Sequence, residues 1–190
     1  MYEGVDTVVL FEELAYEDVL PVQWTTMALP DMAQRRSYTE RNIKLLQTCA
    51  ALGDHSQPDK LDERTPMHAD VLRIDMKVNL LLDLVGKILA SSQQRPADTS
   101  IRFNTLGAIW KARNVDGLPL PGATGLLEIH LREFAIEPLC FLGRVTAVDS
   151  NRIKVRFENT GEAVADLLGK LAFRRHRRQV ADVRQANRDA

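Results

Sequence analysis

The stretch "SIRFNTLGAIW", residues 100–110, holds the residues most suggestive of chemistry in this sequence. It reads as a short strand with a turn in its middle, and its Arg102, Asn104 and Gly107 place a cation, an amide and a glycine around that turn, a combination that could hold an anion. Other candidates carry less. The four histidines, His55, His68, His130 and His176, are scattered, with neither the HxxxH nor the HExxH spacing that sets two imidazoles on one metal. "VGKIL" and "LGKLA" each contain Gly-Lys but lack the glycine-rich loop that cradles a phosphate. Asp149-Ser150-Asn151 reads as a turn, and Asp83 as a solvated carboxylate among leucines. RxxxR spacing occurs at Arg152/Arg156 and Arg174/Arg178, but eighteen arginines make such pairs common by chance. No enzyme signature is present, and no metal or cofactor is expected.

The elements that position these residues fall into three textures. Residues 5–30, with "VDTVVLF" and "DVLPVQWTTMAL", are strand-like. Residues 31–94 are helical in pattern, and residues 97–160 return to strands. In "LLEIHLRE" Leu127, Ile129 and Leu131 alternate with Glu128, His130 and Arg132; in "RIKVRFE" Ile153, Val155 and Phe157 alternate with Arg152, Lys154 and Arg156. Period-two alternation predicts an antiparallel sheet with one face on a core and the other in water. "VDSNR" supplies a turn ahead of the last strand, and from Gly161 the chain turns helical through "EAVADLLGKLAFRRHRR".

Two helices are expected in the middle third. The first runs from an N-cap at Asp31 to about Leu52, with Gly53 placed to end it. The second starts at Thr65-Pro66, a capping residue followed by proline at the first helical position, and runs to about residue 94. Along it Met67, Val71, Ile74, Val78, Leu81, Val85 and Ile88 are spaced four and three in strict alternation. That is a heptad seam, with valine at a and Met, Ile, Leu and Ile at d. Leu82, Leu84 and Leu89 add apolar surface beside it. This helix is expected to self-associate, with a tetramer favoured and a dimer or trimer open.

Composition narrows the class. Formal net charge is -1, hydrophobic residues are 45% and charged ones 27%, which suits a soluble globular protein and gives no overall pull toward nucleic acid. The acidic start, "MYEGVDTVVLFEELAYED", is no signal peptide, and no apolar run reaches the ~20 residues that span a bilayer. Cys49 and Cys140 are lone cysteines in apolar surroundings, as expected of buried thiols in a reducing compartment. A cytoplasmic protein is expected.

"LPVQW", "IRFNTLGAIW", "GLLEIHL", "CFLGRVTAV" and "RIKVRFENTGEAVADLLGKLAFRRHRR" resemble, in order and spacing, the PilZ domain. The resemblance implies an α+β protein. A six-stranded antiparallel barrel closed by a C-terminal helix would be split between 1–30 and 97–190, with 31–95 an inserted two-helix segment whose heptad helix (about 66–94) forms a coiled-coil or bundle oligomer. Many members of that family are bacterial receptors for cyclic di-GMP. They use an RxxxR pair ahead of the first strand, whose guanidinium groups pair with phosphate and reach the guanine edge, and D/N-x-S-x-x-G on the second strand. Here "FEELAYEDV", with Glu12, Glu13, Glu17 and Asp18, stands where the arginines belong. In the second element Arg102 replaces Asp or Asn and Asn104 replaces Ser, and only Gly107 agrees.

The function expected is therefore a non-enzymatic, atypical PilZ regulator in cyclic di-GMP-linked control. It would not bind the nucleotide itself and would act through self-assembly and an unidentified protein partner. Two alternatives stand beside it. One is a cyclic di-GMP receptor with a rearranged site, for instance Arg102 with arginines of the final helix. The other is a nucleic-acid adaptor built on the basic "FRRHRRQ" of 173–179, against which the near-zero net charge and the lack of interleaved aromatics count.

Overall fold

The structure, a computed structural model, describes residues 14–54, 70–71, 73–74, 76–78, 80–81, 84–85, 88, 95–114, 117–131 and 137–186. Six strands, β1 (Tyr16–Thr26), β2 (Asp98–Phe103), β3 (Gly107–Lys111), β4 (Thr124–Ile129), β5 (Leu139–Asp149) and β6 (Arg152–Phe157), form a closed barrel in the order β1-β2-β3-β6-β5-β4. Every pairing is antiparallel. Closure depends on the length of β1. Its first half, Tyr16 to Pro21, pairs with β2, and its second half, Val22 to Thr26, pairs with β4. Pro21 stands where β1 changes neighbours, a place that tolerates a residue without an N–H; its carbonyl accepts from His130 N at 3.1 Å.

The alternation read from the sequence is the alternation of the barrel. Leu127, Ile129, Ile153, Val155 and Phe157 all point inward and are buried, with Ile101, Phe103, Phe141 and Val145 from the other strands. Phe141 and Phe157 stack with ring centroids 4.4 Å apart. Gly143 leaves room for this interior: a Cβ there would come within 2.4 Å of Val155 Cγ1.

Helix α1 (Met32–Asp54) starts where Asp31 Oδ1 accepts from Gln34 N at 2.8 Å, the N-cap expected from the sequence. It runs through Gly53 to Asp54 rather than ending at the glycine, a shift within the usual fraying of helix ends. Leu46 and Cys49 bury against the barrel core. The buried Asn42 does more. Its amide donates to Cys140 O and accepts from Cys140 N, both at 2.8 Å, so one side chain replaces the strand that β5 lacks beyond the end of β6. Burial pushes the Cys140 thiol up to about 11, which leaves it protonated and poorly nucleophilic.

Helix α2 (Glu162–Ala186) follows Gly161, whose positive φ of 74° suits glycine. Val164, Leu168 and Ala172 lie four residues apart and are buried, so this stripe faces the core. The helix packs on α1 and β1, and Arg174 Nη1 donates to Ala50 O at 3.1 Å.

The described residues between 70 and 88 are helical. Val71, Ile74, Val78, Leu81, Val85 and Ile88 are all exposed, from 46% at Val78 to 67% at Ile88, and so are Met76, Leu80 and Leu84. Met67, the Thr65-Pro66 start, Leu82 and Leu89 lie outside the described residues.

Candidate functional site

The stretch around Arg102 is a hairpin of two strands, β2 and β3, joined at Asn104–Gly107. Asn104 is buried and builds the turn. Its Oδ1 accepts from Leu106 N at 2.9 Å and from Gly107 N at 3.2 Å, and its backbone N donates to Gly107 O at 3.0 Å. This is the self-bonding for which Asn is favoured in turns. Gly107 has a packing reason of its own, since a Cβ there would lie 2.2 Å from the carbonyl oxygen of Val155 on β6. Gly107→Ala is therefore expected to destabilise the barrel by ~1–3 kcal/mol, as overpacking does. Urea unfolding without any ligand checks this, and an unchanged midpoint would refute it.

Arg102 projects from β2 and pairs with Glu17 Oε1 at 2.9 Å. Glu17 and Asp18 read from the sequence as a leader ahead of the first strand. They belong to β1 itself, opposite Arg102 and Ile101. The strand starts earlier than its apolar core suggested because Tyr16 is a buried inward residue, packed 5.2 Å from the Phe103 ring. Asp18 Oδ2 is 3.0 Å from Arg175 Nη2 of α2, whose guanidinium lies over the Tyr16 ring at 5.9 Å. Glu12 and Glu13 lie outside the described residues.

Arg102, Arg175, Lys111 and Arg152, with Glu17 and Asp18, surround one open cleft of about 490 Å³. The structure thus brings Arg102 together with an arginine of the final helix. It leaves Asn104 and Gly107 out of the cleft lining, in the adjoining turn. Arg152 also reaches the cleft, while its RxxxR partner Arg156 does not. Among the described residues no group of three His, Cys, Asp or Glu side chains is placed to hold a metal. His130, whose pKa is lowered by burial and then by Arg95, follows the end of β4.

The family model described as "Atypical PilZ domain, cyclic di-GMP receptor" matches residues 46–185. The chain belongs to the atypical PilZ domain family. The fold is shared with a solved structural neighbour of this chain. That neighbour, from Xanthomonas campestris, is described as a pathogenic protein with a tetrameric PilZ domain self-assembled through an unusual helical bundle. It is 26% identical to this chain, covers 88% of it and 91% of its own length, and superposes with a TM-score of 0.66. No curated protein matches the sequence. In this PilZ chain Arg102 and Arg175 meet β1, and Gly107 closes the β2–β3 turn. Acids of β1 hold the two guanidinium groups there, and the retained glycine serves strand packing.

Proposed function

We propose that this protein is a non-enzymatic regulator of the atypical PilZ family that does not bind cyclic di-GMP itself and works through self-assembly and contacts with another protein. The observation that carries this reading is the pairing of Arg102 with Glu17 and of Arg175 with Asp18. A dianionic ligand entering this cleft would have to displace two carboxylates from the two guanidinium groups it needs. Each charge-assisted contact contributes ~1.5–3 kcal/mol. Losing two lowers affinity by at least about 3 kcal/mol, more than about a hundredfold. Titration calorimetry is expected to show no binding at micromolar cyclic di-GMP; a dissociation constant at or below about 1 μM overturns the reading.

Self-assembly is supported by the seam, whose described residues are exposed in the single chain, and by the helical-bundle tetramer described for the neighbour. Among the described residues no helix is long and apolar enough to cross a membrane. The basic helix does not favour a nucleic-acid adaptor. Arg174 ties α2 to α1, Arg175 binds Asp18 and Arg177 lies over Phe173.

A second reading, a receptor with a rearranged site, is favoured by the convergence of Arg102, Arg152, Arg175 and Lys111 on one cleft. The same titration with Glu17→Gln/Asp18→Asn tells the two apart. Binding by the variant alone assigns the block to the carboxylates, and binding by the native protein establishes the receptor.

A further inference from the structure

Strand β6 carries three cations on one side. Arg152, Lys154 and Arg156 alternate with the buried Ile153, Val155 and Phe157, so all three project outward from the barrel. The strand register widens this row into a patch. Lys111 of β3 lies opposite Arg152, and Arg144 of β5 lies opposite Arg156. Arg102 of β2 shares the rung of Lys154 through Ile109. Lys111, Arg144, Arg152 and Arg156 are exposed. The acids nearby are Asp98 on β2, Asp149 of β5 opposite Arg152, Glu17 on β1 against Arg102, Asp18 on β1 against Arg175, and Glu158 just past β6. A chain of formal net charge -1 thus gathers six cations on one face of its barrel.

We propose that this face docks an acidic segment of a partner protein. The inference rests on the reading of the protein as one that acts through protein contacts, and it gives that contact a place and a chemistry. Residues on one side of a strand repeat every ~6.6–6.8 Å, the repeat of alternate carboxylates along an extended acidic segment, so Arg152, Lys154 and Arg156 can each meet one. Strand β6 is paired on both edges, with β3 and β5, so the segment is read by side chains and not by strand addition. Nucleic acid fits less well. No aromatic side chain of the described residues of β2, β3, β5 or β6 lies on the outward side, since Phe103, Trp110, Phe141 and Phe157 are buried, and base stacking has no platform. The overall charge of the chain also gives a long polyanion no long-range attraction.

Fluorescence anisotropy with a labelled Glu-Ser repeat peptide tests the assignment. The native protein is expected to bind it in a salt-sensitive way. Arg152→Glu/Arg156→Glu is expected to bind at least about tenfold more weakly, and Lys170→Glu, on α2, to bind as the native protein does. Circular dichroism confirms that both variants are folded. Absence of peptide binding, equal loss in the two variants, or tighter binding of DNA carrying the same charge would overturn the proposal. Light scattering on the same samples keeps it separate from self-assembly: an unchanged mass with no peptide binding refutes the docking face alone, whereas a monomeric native protein refutes the assembly reading.

Discussion

Replacing Ile74 and Leu81 together by aspartate is expected to dissociate the protein to a single chain of 21.4 kDa while leaving the barrel folded. Ile74 and Leu81 are 60% and 61% exposed and neither belongs to the barrel core, so the substitution has little to disturb within one chain. At an interface its effect is large. Burying each of the seven seam residues contributes ~1.5–3 kcal/mol, a gross gain of roughly 10–20 kcal/mol per chain, against ~4–15 kcal/mol lost on association. Two aspartates remove two of those contributions and place unpaired carboxylates in apolar surroundings, which costs several kcal/mol more. The native protein is expected at four times the single-chain mass. Valine at a with leucine alone at d favours two strands, but d here is mixed, and Leu84 and Leu80 extend the exposed apolar surface beyond the seam. Light scattering at micromolar concentration decides; a native protein already monomeric sinks the idea.

The second large effect lies in the barrel. Phe157→Ala removes a ring that stacks on Phe141 at 4.4 Å and is 9% exposed, and is expected to cost ~3–5 kcal/mol. Arg156→Ala, its outward neighbour on β6, is expected to stay within ~0.5 kcal/mol. Urea unfolding in the Ile74→Asp/Leu81→Asp background measures both free of any concentration-dependent assembly. Equal losses at the two positions would refute the division of β6 into an inward and an outward face.

Phe157 and Arg156 also show how far the sequence could be read. Alternation sorted the inward Ile153, Val155, Phe157, Leu127 and Ile129 from their neighbours, because a half-buried strand writes its geometry into every second position; Leu126, out of that alternation, is buried as well. Asp31 as an N-cap was legible for the same kind of reason, a local interaction between near neighbours. What stayed hidden was non-local. Nothing beside Asn42 in sequence announces that its amide will clamp Cys140. Glu17 and Asp18 were legible as acids standing where arginines belong, but the pairing with β2 and the packing of α2 that set Arg102 and Arg175 against them were not. Gly107 matched a ligand motif, but the contact that requires a glycine there is with Val155, across β3 and β6. Overall charge concealed the most, since a value near zero gave no sign that cations would collect on one outer face.

The divided pairing of β1 bears on how the molecule comes into being. Tyr16 must find Phe103, and Val22 must find Ile129, so the first strand of the barrel has no partner until β2, about halfway along the chain, has been synthesised. Contacts so distant along the chain form slowly, whereas a helix forms within about a microsecond from its own neighbours. The seam helix precedes β2, and during translation it leaves the ribosome before any strand of the barrel can pair with β1. With assembly through this helix as proposed, nascent chains on one message would meet through their helices while their barrels are still open, and assembly would precede closure in the order of biogenesis.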